Sequence, residues 1–215
     1  MDEISKIIEN TPLKGMIPKS YHSQLTILTL SYGEYLHYSE KESDSIFYLI
    51  DGVIQFRQTT EDGIDLNYGV LDGFYFIGER KLLFDNIGET DLYTLRDSTT
   101  ILKIPIKVAE ELLKNKKFKI YMLELHSNKM YKLAVDMSIL HFMGVEKFLA
   151  YNVLKYSVDG IFKFKSISYL SILLSVDRKS LYNALKNLKS KDILKREKNV
   201  IEIIDKERLE EYIRF

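Results

Sequence analysis

Residues 166–198 read SISYLSILLSVDRKSLYNALKNLKSKDILKREK, and the spacing within them decides the fold. It predicts two short helices joined by a tight turn, then a basic β-hairpin. The first helix is expected from about Ile167 to Leu174, with Ser166 as its N-cap. Ser175, Val176 and Asp177 make the turn, and Asp177 caps a second helix from Arg178 to about Lys191. Leu170, Leu173, Leu174, Val176, Leu181, Ala184, Leu185, Leu188 and Ile193 fall at helical spacing and can share one buried face. The opposite face of the second helix carries Arg178, Lys179, Tyr182, Asn183 and Lys186. A helix that enters a major groove needs this arrangement: donors near its N-terminus for base edges and cations further along for phosphates. Ser166, Ser180, Lys186 and the hairpin residues Lys195, Arg196 and Lys198 are the phosphate-contact candidates.

Working outward, the hairpin spans Ile193 to Ile204 and turns around Glu197, Lys198 and Asn199. IFKFKS, from Ile161, is expected to add a strand beside it, and DKERLEEYIR, from Asp205, a closing amphipathic helix. Charge is segregated in the same sense. The whole chain is neutral, with 31 basic and 31 acidic residues, but residues 163–198 hold 10 Lys/Arg against 3 Asp/Glu. Residues 1–100 hold 8 against 17. A basic C-terminal segment can grip phosphates while an acidic N-terminal part stays off them.

The first hundred residues have a different texture. From Leu28 to Glu79, short β-branched and aromatic runs are punctuated by Gly33, Asp51-Gly52, Asp62-Gly63, Asp72-Gly73 and Gly78. Ile46–Ile50 and Val53–Arg57 read as strands on either side of Asp51-Gly52, and Glu61-Asp62-Gly63 as a hairpin tip. Residues 88–106 supply closing strands, which suggests a sandwich, jelly roll or barrel. The aromatic residues Tyr68, Phe74, Tyr75 and Phe76 could fill this roll's own pocket, and the roll could equally be a constitutive scaffold.

After about Ile106 the apolar period changes from two to near four. VAEELLKN reads as a short helix. A long one, from Phe118, ends near Gly144, and VEKFLAYNVLKYS makes another. Ile120, Leu123, Met130, Leu133, Met137 and Leu140 mark one stripe of the long helix, with Tyr121, Tyr131 and Phe142 adding apolar surface. Such a helix can serve as a coiled-coil seam, or pack on its own barrel.

No apolar run approaches the length of a membrane span and the N-terminus lacks a signal pattern, so a soluble, cytoplasmic protein with no membrane partner is expected. Absence of cysteine excludes disulfides, thiolate zinc sites and thiol redox sensing. His22, His37, His126 and His141 are scattered without ligand spacing, so no metal, no cofactor and no catalytic residue is assigned. Neither a Gly-rich phosphate loop nor a Ser-His-Asp order is found, and an enzyme is not expected.

SEKESDSIFYLIDGVI, TEDGIDL, the phrase FIGE at Phe76 to Glu79 and the helix-turn-helix segment occur in the order found in the Crp/Fnr family of bacterial transcription regulators, which the chain resembles over nearly its whole length. The resemblance implies an α+β fold. Residues 1–115 would form a cupin-like β-roll of the cyclic-nucleotide-binding type, 116–143 a dimerisation helix, and 144–215 a winged helix-turn-helix. It further implies a homodimer through the 116–143 helix on a two-fold symmetric, double-stranded operator, with RNA polymerase as a further candidate partner.

Two departures set this chain apart. Nucleotide-binding relatives follow Gly-Glu, some ten residues on, with an arginine that pairs with the cyclic phosphate, while the glutamate holds the ribose hydroxyl. Gly78 and Glu79 match, but Thr90 and Asp91 stand near the place of the arginine pair. An unpaired phosphate beside Asp91 loses several kcal/mol, so cyclic AMP is not the expected effector unless Arg80 or Lys81 substitutes. Those relatives also place Arg, Glu and Arg along the recognition helix, where this chain has Arg178, Lys179 and Asn183. Asn183 suits adenine, and a half-site with A·T content follows. The glycine often found in the family's turn is replaced by Ser175. A haem-responsive regulator of the same family, and a β-roll scaffold without a DNA role, are the alternatives.

Overall fold

The computed structural model describes residues 3–36, 44–59, 62, 65–83 and 91–214. The chain divides into two compact units, Met1–Tyr131 and Lys132–Phe215.

In the first unit the short runs become eight strands: β1 (Thr26–Leu30), β2 (Tyr35–Leu36), β3 (Ser45–Asp51), β4 (Val53–Thr59), β5 (Asp65–Asp72), β6 (Tyr75–Ile77), β7 (Asp91–Thr94) and β8 (Thr99–Pro105). They pair into two antiparallel sheets, ordered β1-β8-β3-β6 and β2-β7-β4-β5. Glu61 and Gly63 of the expected hairpin tip lie outside the described residues. β4 and β5 nonetheless pair from Val53–Asp72 to Thr59–Asp65, the register such a tip requires. The Asp51-Gly52 corner needs glycine: Gly52 has φ +137°, and a Cβ there would lie 2.4 Å from Thr99 Cγ2.

Alternation along the strands sorts the core into two layers. Phe47 and Leu49 of β3, Ile54 of β4, Ile77 of β6, Leu92 of β7 and Ile101 of β8 meet between the sheets. Ile46 and Tyr48 point the other way and join Phe76, Leu102 and Ile104 under a cover of helices. That cover consists of α1 (Glu3–Glu9), α3 (Ile106–Leu112) and the start of the long helix, which contributes Phe118 and Met122. Phe74 and Phe76, two of the candidates for filling the roll, belong to this helix-covered layer. Phe76 lies in the helix-covered layer, packed edge-on against Phe118 and Tyr121, and Phe74 stacks on Tyr48 in the same layer. The side chain of Tyr68 lies outside the described residues. A period of two sends Phe74 and Phe76 to one face, and the helices choose which.

α4 runs Lys116–Tyr156, interrupted at Gly144, whose φ of 77° and ψ of 174° are not helical. The expected break therefore falls at Gly144. In the second unit, β9 (Ile161–Lys163), α5 (Ile167–Leu173), α6 (Arg178–Ser190), β10 (Leu194–Glu197), β11 (Val200–Ile203) and α7 (Lys206–Ile213) follow in the predicted order. β9 joins the hairpin on the β11 side. Ile139, Phe148, Leu149 and Val153 of α4 share a core with Leu170, Leu181, Leu188, Ile201 and Leu209. Among the described residues no helix is long and apolar enough to cross a membrane.

Candidate nucleic-acid interface

Both helices of the helix-turn-helix start on the capping residues read from the sequence. Ser166 Oγ accepts from Tyr169 N at 3.1 Å, and Asp177 Oδ1 from Ser180 N at 2.9 Å. Each cap satisfies one of the backbone donors that a helix N-terminus leaves open. Ser180 Oγ also donates to Asp177 Oδ2 at 2.5 Å, so its one hydroxyl proton is already used. Ser166 keeps its own proton for an acceptor such as a phosphate oxygen. Hydrogen bonds from the Ser180 hydroxyl and backbone hold the Asp177 carboxyl below its ordinary value, keeping the cap charged. At the turn, Ser175 takes a φ of 55°, the left-handed conformation that glycine fills at no steric cost.

Burial divides α6 along its length. Leu181, Ala184, Leu185 and Leu188 are buried, whereas Arg178, Lys179, Tyr182, Asn183 and Lys186 are exposed together on the other face. The far end of α6 is fixed by a polar cluster that the sequence reading missed. Glu146 accepts from Lys191 Nζ at 2.6 Å, from Tyr212 OH at 2.5 Å and from Asn187 Nδ2 at 2.9 Å. Burial alone would raise the Glu146 pKa; these three donors outweigh it and leave the net shift downward. Glu146, α6 and α7 are too far apart in sequence for spacing to connect them.

In the wing, alternation sets direction. Arg196 lies on the same face of β10 as buried Leu194, the face toward α6, while Lys195 and Glu197 share the other face and pair at 2.8 Å. The Arg196 guanidinium sits 5.7 Å from the Tyr182 ring centroid, and its Nε donates to Lys198 O at 2.9 Å. Lys198, exposed at the tip, takes a φ of 49°. The predicted contact residues thus fall into two groups. Arg178, Lys179, Tyr182, Asn183 and Lys186 form the helix face, joined to the wing by Arg196. Lys195 points elsewhere.

The phrase carrying Gly78 and Glu79 is built differently from what its motif suggests. Gly78, at φ +81°, turns the chain from β6 into the short helix α2 (Arg80–Leu83). Glu79 is 1 % exposed and pairs with two residues of α4. Its Oε1 accepts from Lys129 Nζ and, at 2.8 Å, from His126 Nδ1; Lys129 also donates to Phe76 O at 3.2 Å. Burial pushes the Glu79 pKa up, but the His126 hydrogen bond and the Lys129 charge pull it further down, so the carboxylate stays ionised. The sequence reading missed this cluster; the spacing of three that puts His126 and Lys129 on one helix face is the one signal that could have pointed to it. Nearby, Tyr48 OH and Tyr121 OH meet at 2.8 Å, and burial raises both phenol pKa values. Arg80 is exposed on α2, and Asp91 opens β7 opposite Arg57 of β4. Thr90 and His37 lie outside the described residues.

A two-sheet β-roll, a long helix and a winged helix-turn-helix follow one another along the chain. Solved structures narrow this to the fold of the Crp/Fnr regulators. A transcriptional regulator of that family from Eubacterium rectale superposes with a TM-score of 0.72 at 15% identity, covering 95% of this chain and 99% of its own. CooA from Carboxydothermus hydrogenoformans gives 0.71 at 14% identity, covering 99% and 96%. FixK2 from Bradyrhizobium japonicum gives 0.70 at 14% identity, covering 89% and 98%. No family model and no curated protein matches the sequence.

Proposed function

We propose that this chain is a sequence-specific DNA-binding transcription regulator that works as a homodimer and does not depend on cyclic AMP. The observation that carries the reading is the α6 face: five polar or cationic side chains exposed together over a fully packed apolar side. Arg178, Lys179 and Asn183 would meet base edges. Ser166, Lys186, Arg196 and Lys198, with Lys195 at the outer face of the wing, would meet phosphates.

The dimer is supported by apolar side chains that α4 leaves exposed. In the first unit these are Ile120, Leu123, Met130 and Tyr131; in the second, Met137 at 69% and Phe142 at 81%. A second copy of the helix would cover them. Two recognition helices about one helical turn of DNA apart could then enter successive major grooves. An effector that altered the packing of α4 would shift the population able to do so.

Independence from cyclic AMP is supported by Glu79. Its ionised carboxylate is 1% exposed and already held through Oε1 by Lys129 and His126 of the same chain, so a ribose hydroxyl would have to reach a buried, charge-paired group. Fluorescence anisotropy of the ligand-free protein on its own upstream DNA, against random DNA and with cyclic AMP in parallel, tests the reading. Specific binding without additive is expected. Specific binding only with cyclic AMP would overturn the effector assignment, and equal binding to all sequences would overturn the regulator.

A further inference from the structure

The contact between Tyr182 and Arg196 joins the two parts of the interface that would touch DNA. Tyr182 is 51% exposed on α6, yet its ring face is covered by a guanidinium from the wing at 5.7 Å. Arg196 is held at a second point, where its Nε donates to Lys198 O across the wing turn. One nitrogen is thereby used and one face stacked, while the two terminal nitrogens of the fork remain for a planar acceptor pair. This guanidinium lies between the recognition helix and the wing. With α6 in a major groove, a guanidinium at this edge of the helix would face the sugar–phosphate strand that borders the groove.

We infer that Tyr182 is a positioning residue: its ring holds Arg196 as a preorganised fork for one backbone phosphate, so that helix and wing grip DNA as one unit. The inference rests on the DNA-binding reading above and deepens it. It separates Tyr182 from Arg178 and Asn183, which read bases, and it ranks Arg196 above Lys195, whose ammonium faces Glu197 on the far side of the wing. The ring, not the phenol hydroxyl, does the positioning. An arginine loses less freedom on binding when a stack already orders it.

A double-mutant cycle on the full chain tests this, using a labelled random-sequence duplex and anisotropy at several potassium chloride concentrations. Tyr182→Phe should bind like the parent. Tyr182→Leu and Arg196→Ala should each weaken binding about fivefold, and the double variant no more than Arg196→Ala alone. The slope of log affinity against log salt should become shallower by about one in the leucine, alanine and double variants. Melting temperatures near the parent's would show that the substitutions leave the fold intact. Multiplicative losses in the double variant would overturn the inference. So would a Tyr182→Phe loss as large as that of Tyr182→Leu, because the hydroxyl would then be the contact. Failure of the parent itself to bind any duplex would instead overturn the DNA-binding reading.

Discussion

Replacing Lys129 by methionine removes the ammonium that faces Glu79 while keeping most of the side chain's length and volume, so the loss reports the charge and little else. Glu79 is 1% exposed and the Lys129 side chain 8%. Unit charges about 4 Å apart interact by about 4 kcal/mol at an effective dielectric of 20. Breaking one side of a buried pair costs about 3–5 kcal/mol because the remaining charge is stranded. His126 still donates to Oε1 at 2.8 Å in the variant, which places the expectation at the low end, about 3 kcal/mol. Glu79→Gln combined with Lys129→Met leaves no stranded charge and should recover most of that loss.

The loss should also depend on pH in a fixed direction. In the parent the Glu79 pKa is lowered, so the pair's contribution is fully present above the unfolded carboxyl value of about 4.3 and disappears as pH falls through the lower folded value. Without Lys129, part of what opposes burial is gone and the Glu79 pKa rises relative to the parent's. The variant's deficit is then largest at neutral pH and shrinks on acidification. Urea titration followed by circular dichroism gives the stability, and amide exchange in β3 and β6 localises it to the first unit. A deficit below about 1 kcal/mol at pH 7, or one that grows on acidification, would refute the reasoning.

Ser175→Gly should stabilise the second unit by up to about 1 kcal/mol, because φ of 55° strains any residue with a Cβ; an unchanged or lower melting temperature would contradict this. Phe142→Asp with Met137→Asp places charge on the exposed apolar surface of α4. Sedimentation should show the parent as a dimer and this variant as a monomer, and an unaltered distribution would remove this surface as the dimer contact. Arg178→Ala should cost about 1–3 kcal/mol on the operator and much less on random DNA. Equal losses on both would remove Arg178 from the base readers.

The second unit was legible because its signals are local. The caps at Ser166 and Asp177, the buried leucines of α5 and α6 and the wing hairpin all lie within a few residues of the groups they contact. Short-range spacing fixes such elements through helix and strand periods. The roll was legible in outline for a similar reason, since its turns recur and Gly52 meets a steric demand that sequence already hints at. Period two could establish that Phe74 and Phe76 share a face. It could not say whether that face looks into the roll or onto helices.

The sequence by itself therefore determined the order of elements, the cationic face of α6 and the placement of Arg178, Lys179 and Asn183 upon it. Tertiary structure alone decided the partners of the charged groups. Glu79 meets Lys129 across fifty residues, Glu146 meets Lys191 across forty-five, and Arg196 stacks on Tyr182 from another element. A buried charge is stable only beside its counter-charge, and long-range packing, which no spacing rule reaches, brings the two together.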